Sequence, residues 1–97
     1  MRFGGYTYIM TNKPNGILFV GVTADLLARV MAHKEGRGSS FCRKWGLTRL
    51  VLIEPHSSIE SAIAREKALK KWNRDWKLRL ITEQNPDWRD LYETINA

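Results

Sequence analysis

Two short apolar runs, YTYIM at residues 6–10 and ILFVGV at 17–22, are separated by the polar turn-forming segment TNKPNG. Runs of this length, rich in aromatic and β-branched residues and bounded by Pro and Gly, read as strands. So short a loop between them predicts an antiparallel hairpin. The whole chain is 97 residues, enough for one small domain with a modest core. Its hydrophobic fraction of 43%, with 10% aromatics, argues against disorder.

Beyond the hairpin the pattern turns helical. Thr23 is the expected N-cap of a helix near 24–35, with Asp25 in its first turn. GRGSS (36–40) breaks that helix, and FCRKWG (41–46) forms a short turn or helix leading to a third strand, TRLVLIEPH (48–56). Ser57 and Glu60 have the spacing of a capping box for a helix running to about Trp72. Asn73 or Asp75 opens another helix through about Thr82. Asn85-Pro86 reads as an N-cap with proline at the first helical position of a terminal helix, PDWRDLYETI. The expected class is α/β in one domain over 1–97, with a core at about 4–84 and a C-terminal helix at 85–97. No repeat, low-complexity tract or linker interrupts it.

The formal charge of +6 and pI near 9.8 suit a polyanion, nucleic acid before anionic membrane, although a merely basic surface would give the same totals. Cys42 is the single cysteine, which excludes an intramolecular disulfide and a cysteine-cluster zinc site. No apolar run approaches membrane-spanning length, and MRFGGYTYIMTN does not read as a signal peptide. A reducing, cytoplasmic setting is expected.

Two placements resist a purely structural reading. Arg29 and His33 lie four residues apart on one helical face, where two potential cations repel unless an anion sits between them. Glu66 falls within the stripe formed by Ile59, Ala62, Ile63 and Leu69. A carboxylate aimed at a core needs a partner, a proton or a cation. An i,i+4 pair with Lys70 would satisfy it, and so would a metal or an ion pair in a cleft; the pattern alone weighs these evenly. A lone carboxylate suits magnesium, which takes one or two protein carboxylates and keeps its waters.

The order of these residues along the chain resembles the GIY-YIG nuclease superfamily, in particular its small stand-alone bacterial members. YTY (6–8) stands at the first motif, with Tyr8 at its tyrosine, and FVG (19–21) at the second. Arg29 and His33 follow Phe19 by ten and fourteen residues, the family's spacing. Glu66, in AREKALKKW, matches the metal-binding glutamate and Lys70 the lysine that follows it. The resemblance covers nearly the whole chain and implies a three-stranded antiparallel sheet flanked by helices. It implies a phosphodiester-cleaving site in which Glu66 holds one Mg2+ or Mn2+ ion. Arg29 would neutralise charge on the scissile phosphate, with the guanidinium fork holding two of its oxygens. Tyr8, and more weakly Tyr6, would help position or activate water, with His33 as a substitute base or a phosphate contact.

The chain departs from that pattern at Phe19, which stands where the second motif has tyrosine. The ring remains but the hydroxyl is gone, and such acid–base help is worth about 10²- to 10⁴-fold in rate. Arg37, Arg43, Lys44 and Lys70 are the candidate nucleic-acid contacts; Lys67, Lys71, Arg74, Lys77 and Arg79 read equally as solvated faces. Trp72, Trp76 and Trp88 are expected to seal the core, and Trp45, beside Arg43 and Lys44, is the candidate for base stacking. The expected function is a metal-dependent DNA endonuclease, structure-selective and slowed by Phe19, with a role in DNA repair. The alternatives are an inactive nucleic-acid-binding relative using the same cleft, and a protein-interaction module.

Overall fold

The computed structural model describes residues 3–95. Strands β1 (Gly5–Thr11) and β2 (Leu18–Thr23) pair antiparallel, with Tyr8 opposite Gly21 and Met10 opposite Phe19. After helices α1 (Leu26–Lys34) and α2 (Ser40–Trp45), strand β3 (Arg49–His56) pairs antiparallel with the other side of β1, giving the order β2-β1-β3. Helices α3 (Ile59–Lys71), α4 (Arg74–Gln84) and the short α5 (Tyr92–Ile95) complete the chain. The α/β class and the three-stranded antiparallel sheet flanked by helices are as expected.

Alternation along β1 divides the core between two sheet faces. Tyr8 and Met10 pack with Leu26 and Val30 of α1, Cys42 of α2, Leu47 and Leu50, while Ile9 packs with Val20, Val51, Leu52, Leu69 of α3, Ile81 of α4 and Trp88. Thr7, buried on the second face, donates its hydroxyl to the Ala62 carbonyl at 2.8 Å and so ties β1 to α3. The helix that holds Arg29 and the helix that holds Glu66 therefore come from opposite layers.

Several helix ends differ from expectation. The Thr23 hydroxyl accepts the Asp25 N–H at 3.0 Å, and this small turn delivers Asp25 as the N-cap of α1, its carboxylate accepting the Ala28 N–H at 3.1 Å. Ser58, not Ser57, caps α3 by accepting the Ser61 N–H at 3.1 Å. Asn85 does not open a helix. It ends α4, and its buried side chain donates to the Val51 and Arg89 carbonyls and accepts the Arg89 N–H. The following segment seals the β3 edge: Leu91 N–H donates to the Leu50 carbonyl at 2.7 Å, and the Asp90 carboxylate accepts the Leu50 N–H at 3.2 Å. Pairing with β3 is incompatible with helix, so only Tyr92–Ile95 is helical, and residues 96–97 of the expected terminal helix lie outside the described residues. Trp88 is buried and Trp72 half-buried as core residues, but Trp76, edge-on to Trp72, is 52% exposed on the outer side of α4. Ile63 likewise lies outside the core that Ala62 and Leu69 enter.

Candidate active site

The centre of the site is built by strand pairing. Tyr8 faces Gly21 across β1 and β2, and a Cβ at position 21 would stand 2.4 Å from the Tyr8 ring. The glycine of the FVG run is therefore clearance for the tyrosine of the first motif. Within that clearance the Tyr8 hydroxyl meets His33 Nε2 at 2.8 Å, a hydrogen bond between two buried side chains. Gly38 closes over the other side of the imidazole: a Cβ there would lie 2.5 Å from His33 Nδ1. Among the described residues Nδ1 has no hydrogen-bond partner.

Charge around this pair is set by Arg29 and Glu66. Burial pushes the Tyr8 phenol well above its ordinary range; Arg29 pulls it partly back, while Cys42 and Glu66 push it further up. Burial, then Arg29, lowers His33 below its ordinary value. The two residues at the start and end of one α1 turn are thus a cation and a neutral imidazole, and the repulsion expected between two cations does not arise. Arg29 itself is exposed, its Nη1 lying 3.4 Å from the Gly38 carbonyl in the loop after α1. Glu66 is half-buried, with its side chain 15% exposed, and Lys70 Nζ donates to its Oε2 at 2.7 Å. The pairing with Lys70 is real, yet the carboxylate's charge still reaches Tyr8.

Phe19 fills the space beside this pair. Its ring lies edge-on to the His33 imidazole at 5.5 Å, 6.5 Å from the Tyr8 ring, and stacks against Phe41 at 6.4 Å. Tyr6 is placed apart from His33, in a groove with Ala24 to Leu27, Ile53 and Ile95, its ring edge-on to Phe3. Arg43 and Lys44 are exposed on α2, and Arg37 pairs with its neighbour Glu35. The clearances at Gly21 and Gly38 and the Phe19–Phe41 stack carry no signal in residue type alone; they depend on strand register and on how the loop after α1 folds back.

The family model for the GIY-YIG catalytic domain matches residues 4–79, spanning all three strands and the helices that hold Arg29, His33 and Glu66. The chain belongs to the GIY-YIG family. It is similar to a UPF0213 protein of Staphylococcus haemolyticus, 34% identical over 79 residues that cover 81% of this chain and 95% of that protein. A UPF0213 protein of Clostridium perfringens is 33% identical over 91 residues, covering 94% and 97% of the two chains. A third, from Staphylococcus saprophyticus, is 32% identical over 78 residues, covering 80% and 94%. No solved structure matches the chain significantly. GIY-YIG nucleases act on nucleic acids and generally depend on a divalent metal, so membership points to nuclease chemistry. No helix among the described residues is long and apolar enough to cross a membrane.

The donor set bears on which metal the site fits. Among the described residues no three His, Cys, Asp or Glu side chains cluster as a closed metal cage. A single half-buried carboxylate fits magnesium or manganese, which complete their shells with waters and substrate phosphate oxygens.

Proposed function

We propose that this chain is a metal-dependent endonuclease that hydrolyses phosphodiester bonds in DNA, selective for DNA structure rather than sequence, and slowed by the loss of the hydroxyl at Phe19. The observation that supports it best is the buried Tyr8–His33 hydrogen bond with Arg29 exposed at its side. A phenol raised by burial cannot act as free phenolate near neutral pH. It can pass a proton, taking one from an attacking water as its own moves to His33 Nε2, which is neutral and free to accept it. Arg29, exposed next to that pair, holds the phosphate and offsets the charge that grows on it. Glu66 would hold the divalent ion, which supplies Lewis-acid charge at a phosphate oxygen when bound. Arg37, Arg43 and Lys44 would contact the flanking backbone, and Lys70, released from Glu66, would add a further contact. Action on DNA, in repair and in the cytoplasm, belongs to the same reading, as does a role for Tyr6 at the outer end of β1.

One observation favours the alternative of a nucleic-acid-binding relative without activity. The Phe19 ring is packed against His33 and Phe41 as an apolar wedge, with no polar atom to hold a water. Nicking of plasmid, flap and branched DNA in Mg2+ or Mn2+ decides between the two. Cleavage that disappears in Glu66→Ala and Arg29→Ala supports the enzyme; binding without cleavage, with cleavage appearing in Phe19→Tyr, establishes the alternative.

A further inference from the structure

Helix α2 has only six residues, yet it leaves two large aromatic rings uncovered: Phe41 is 44% and Trp45 47% exposed. At i,i+4 spacing they share one side of the helix, while Cys42 enters the core. Phe41 is no isolated surface ring. It stacks on Phe19 with an interplanar angle of 28°, and Phe19 stands edge-on to the imidazole that holds Tyr8. Aromatic contact thus runs from the buried Tyr8–His33 pair to solvent at Phe41, with Trp45 one helical turn beyond.

The charged side chains on α2 itself are cations, Arg43 and Lys44, both exposed; Arg37, before the helix, is paired with Glu35. From Gly36 through Ile53 the chain contains Arg37, Arg43, Lys44 and Arg49 and neither Asp nor Glu. Arg49 is engaged by the Trp88 carbonyl, and Lys44 Nζ sits 5.2 Å from the centre of the Trp45 ring. Exposed aromatic faces interleaved with unopposed cations match a polyanion that also presents flat apolar faces, which is single-stranded nucleic acid. In a duplex those faces are covered by neighbouring bases, so only an unpaired base can use such a platform.

We propose that Phe41 and Trp45 form a stacking platform for unpaired nucleobases beside the scissile phosphate, making the substrate a flap, overhang or gap with single-stranded nucleotides rather than continuous duplex. This rests on the nuclease reading above and names its substrate class. It also gives Phe19 a task as the inner ring that supports Phe41.

Fluorescence anisotropy of labelled single-stranded oligothymidylate and of a blunt duplex of equal length, in EDTA at low salt, tests it without cleavage. The wild-type chain is expected to prefer the single strand. Phe41→Ala and Trp45→Ala are each expected to weaken single-strand binding by about 5- to 150-fold, the range of one lost base stack, and to leave duplex binding unchanged. Trp45→Phe, which keeps a flat ring, should retain most of the affinity. Thermal melts check folding, and should Phe41→Ala fail to fold, the two Trp45 variants carry the decision. Equal binding of both DNAs by the wild type overturns the proposal, as does an unaltered preference in the Ala variants. So does sedimentation showing that the platform instead holds a second copy of the chain. Failure of the nuclease reading looks different: no DNA is cut in Mg2+ or Mn2+, while the stacking preference stands.

Discussion

The Tyr8 hydroxyl and His33 Nε2 stand 2.8 Å apart and both are buried, a hydrogen bond that ties β1 to α1. Neither residue reaches this position by its own element. Tyr8 is set by the β1–β2 register, and His33 by the seating of α1 on the same sheet face.

Burial and Arg29 lower His33 from its ordinary value of 6.5, which fixes the sign of a pH effect. Above that value the imidazole is neutral in folded and unfolded chains alike and adds no slope. Below it, the unfolded chain takes up a proton that the folded chain refuses, so stability falls as pH falls. Urea unfolding followed downward from neutral pH should show this decline, and His33→Gln should flatten it.

Gly21→Ala places a methyl group 2.4 Å from the Tyr8 ring, which is buried and has nowhere to move. The expected cost is about 1–3 kcal/mol, typical of overpacking. Cleavage should fall more steeply than stability, since the displaced phenol loses His33. Thermal melts and nicking rates measured on the same preparation test both parts.

Glu66→Gln keeps the size of the side chain and removes its charge, and cleavage is expected to fall to background with the fold intact. Lys70→Ala acts in the opposite sense on the metal. It removes an i,i+4 pair with an exposed lysine, worth about 0.3–0.5 kcal/mol, and frees Glu66 Oε2. The Mg2+ concentration for half-maximal cleavage should therefore drop in Lys70→Ala, as read from a metal titration.

Phe19→Tyr returns a hydroxyl to a ring that lies 5.5 Å from the His33 imidazole. Cleavage should rise by up to about 10²-fold, the lower range for a positioned acid–base group. Single-turnover rates at saturating protein separate this gain from any change in binding.

Asn85→Ala strips three hydrogen bonds from a buried position and leaves the Val51 carbonyl unpaired. A loss of about 1–3 kcal/mol is expected for the unsatisfied group. In a domain of this size each kcal/mol lowers Tm by about 4–8 °C, which calorimetry would detect. Nicking per folded molecule should be unaffected, because Asn85 touches the β3 side of the sheet and not Tyr8 or His33.

Much of this fold is legible in residue order. Periodicity places all three strands and helices α1 to α4 within a residue or two, because strand and helix periods are local properties of side chains. The same holds for the spacing of Arg29 and His33 and for the Glu66–Lys70 pair. Caps were less legible. Thr23 and Asp25, or Ser57 and Ser58, are chemically equivalent choices, and the chain's entry angle selects between them. Asn85-Pro86 has the composition of a helix start, yet the bare edge of β3 recruits that segment and outweighs the local preference.

What the chain's own order determined is the inventory: a hairpin, a basic helix bearing Arg29 and His33, a carboxylate at position 66 and a missing hydroxyl at Phe19. Local interactions suffice for that, since they act over a few residues. Tertiary structure alone decided that His33 meets Tyr8 rather than solvent, that Gly21 and Gly38 are clearances, and that Phe41 backs Phe19 at the surface. Tyr8 with His33, Gly21 with Tyr8 and Phe41 with Phe19 join residues far apart in sequence, and only packing against the sheet brings them into contact; Gly38 meets His33 through the fold-back of the loop after α1.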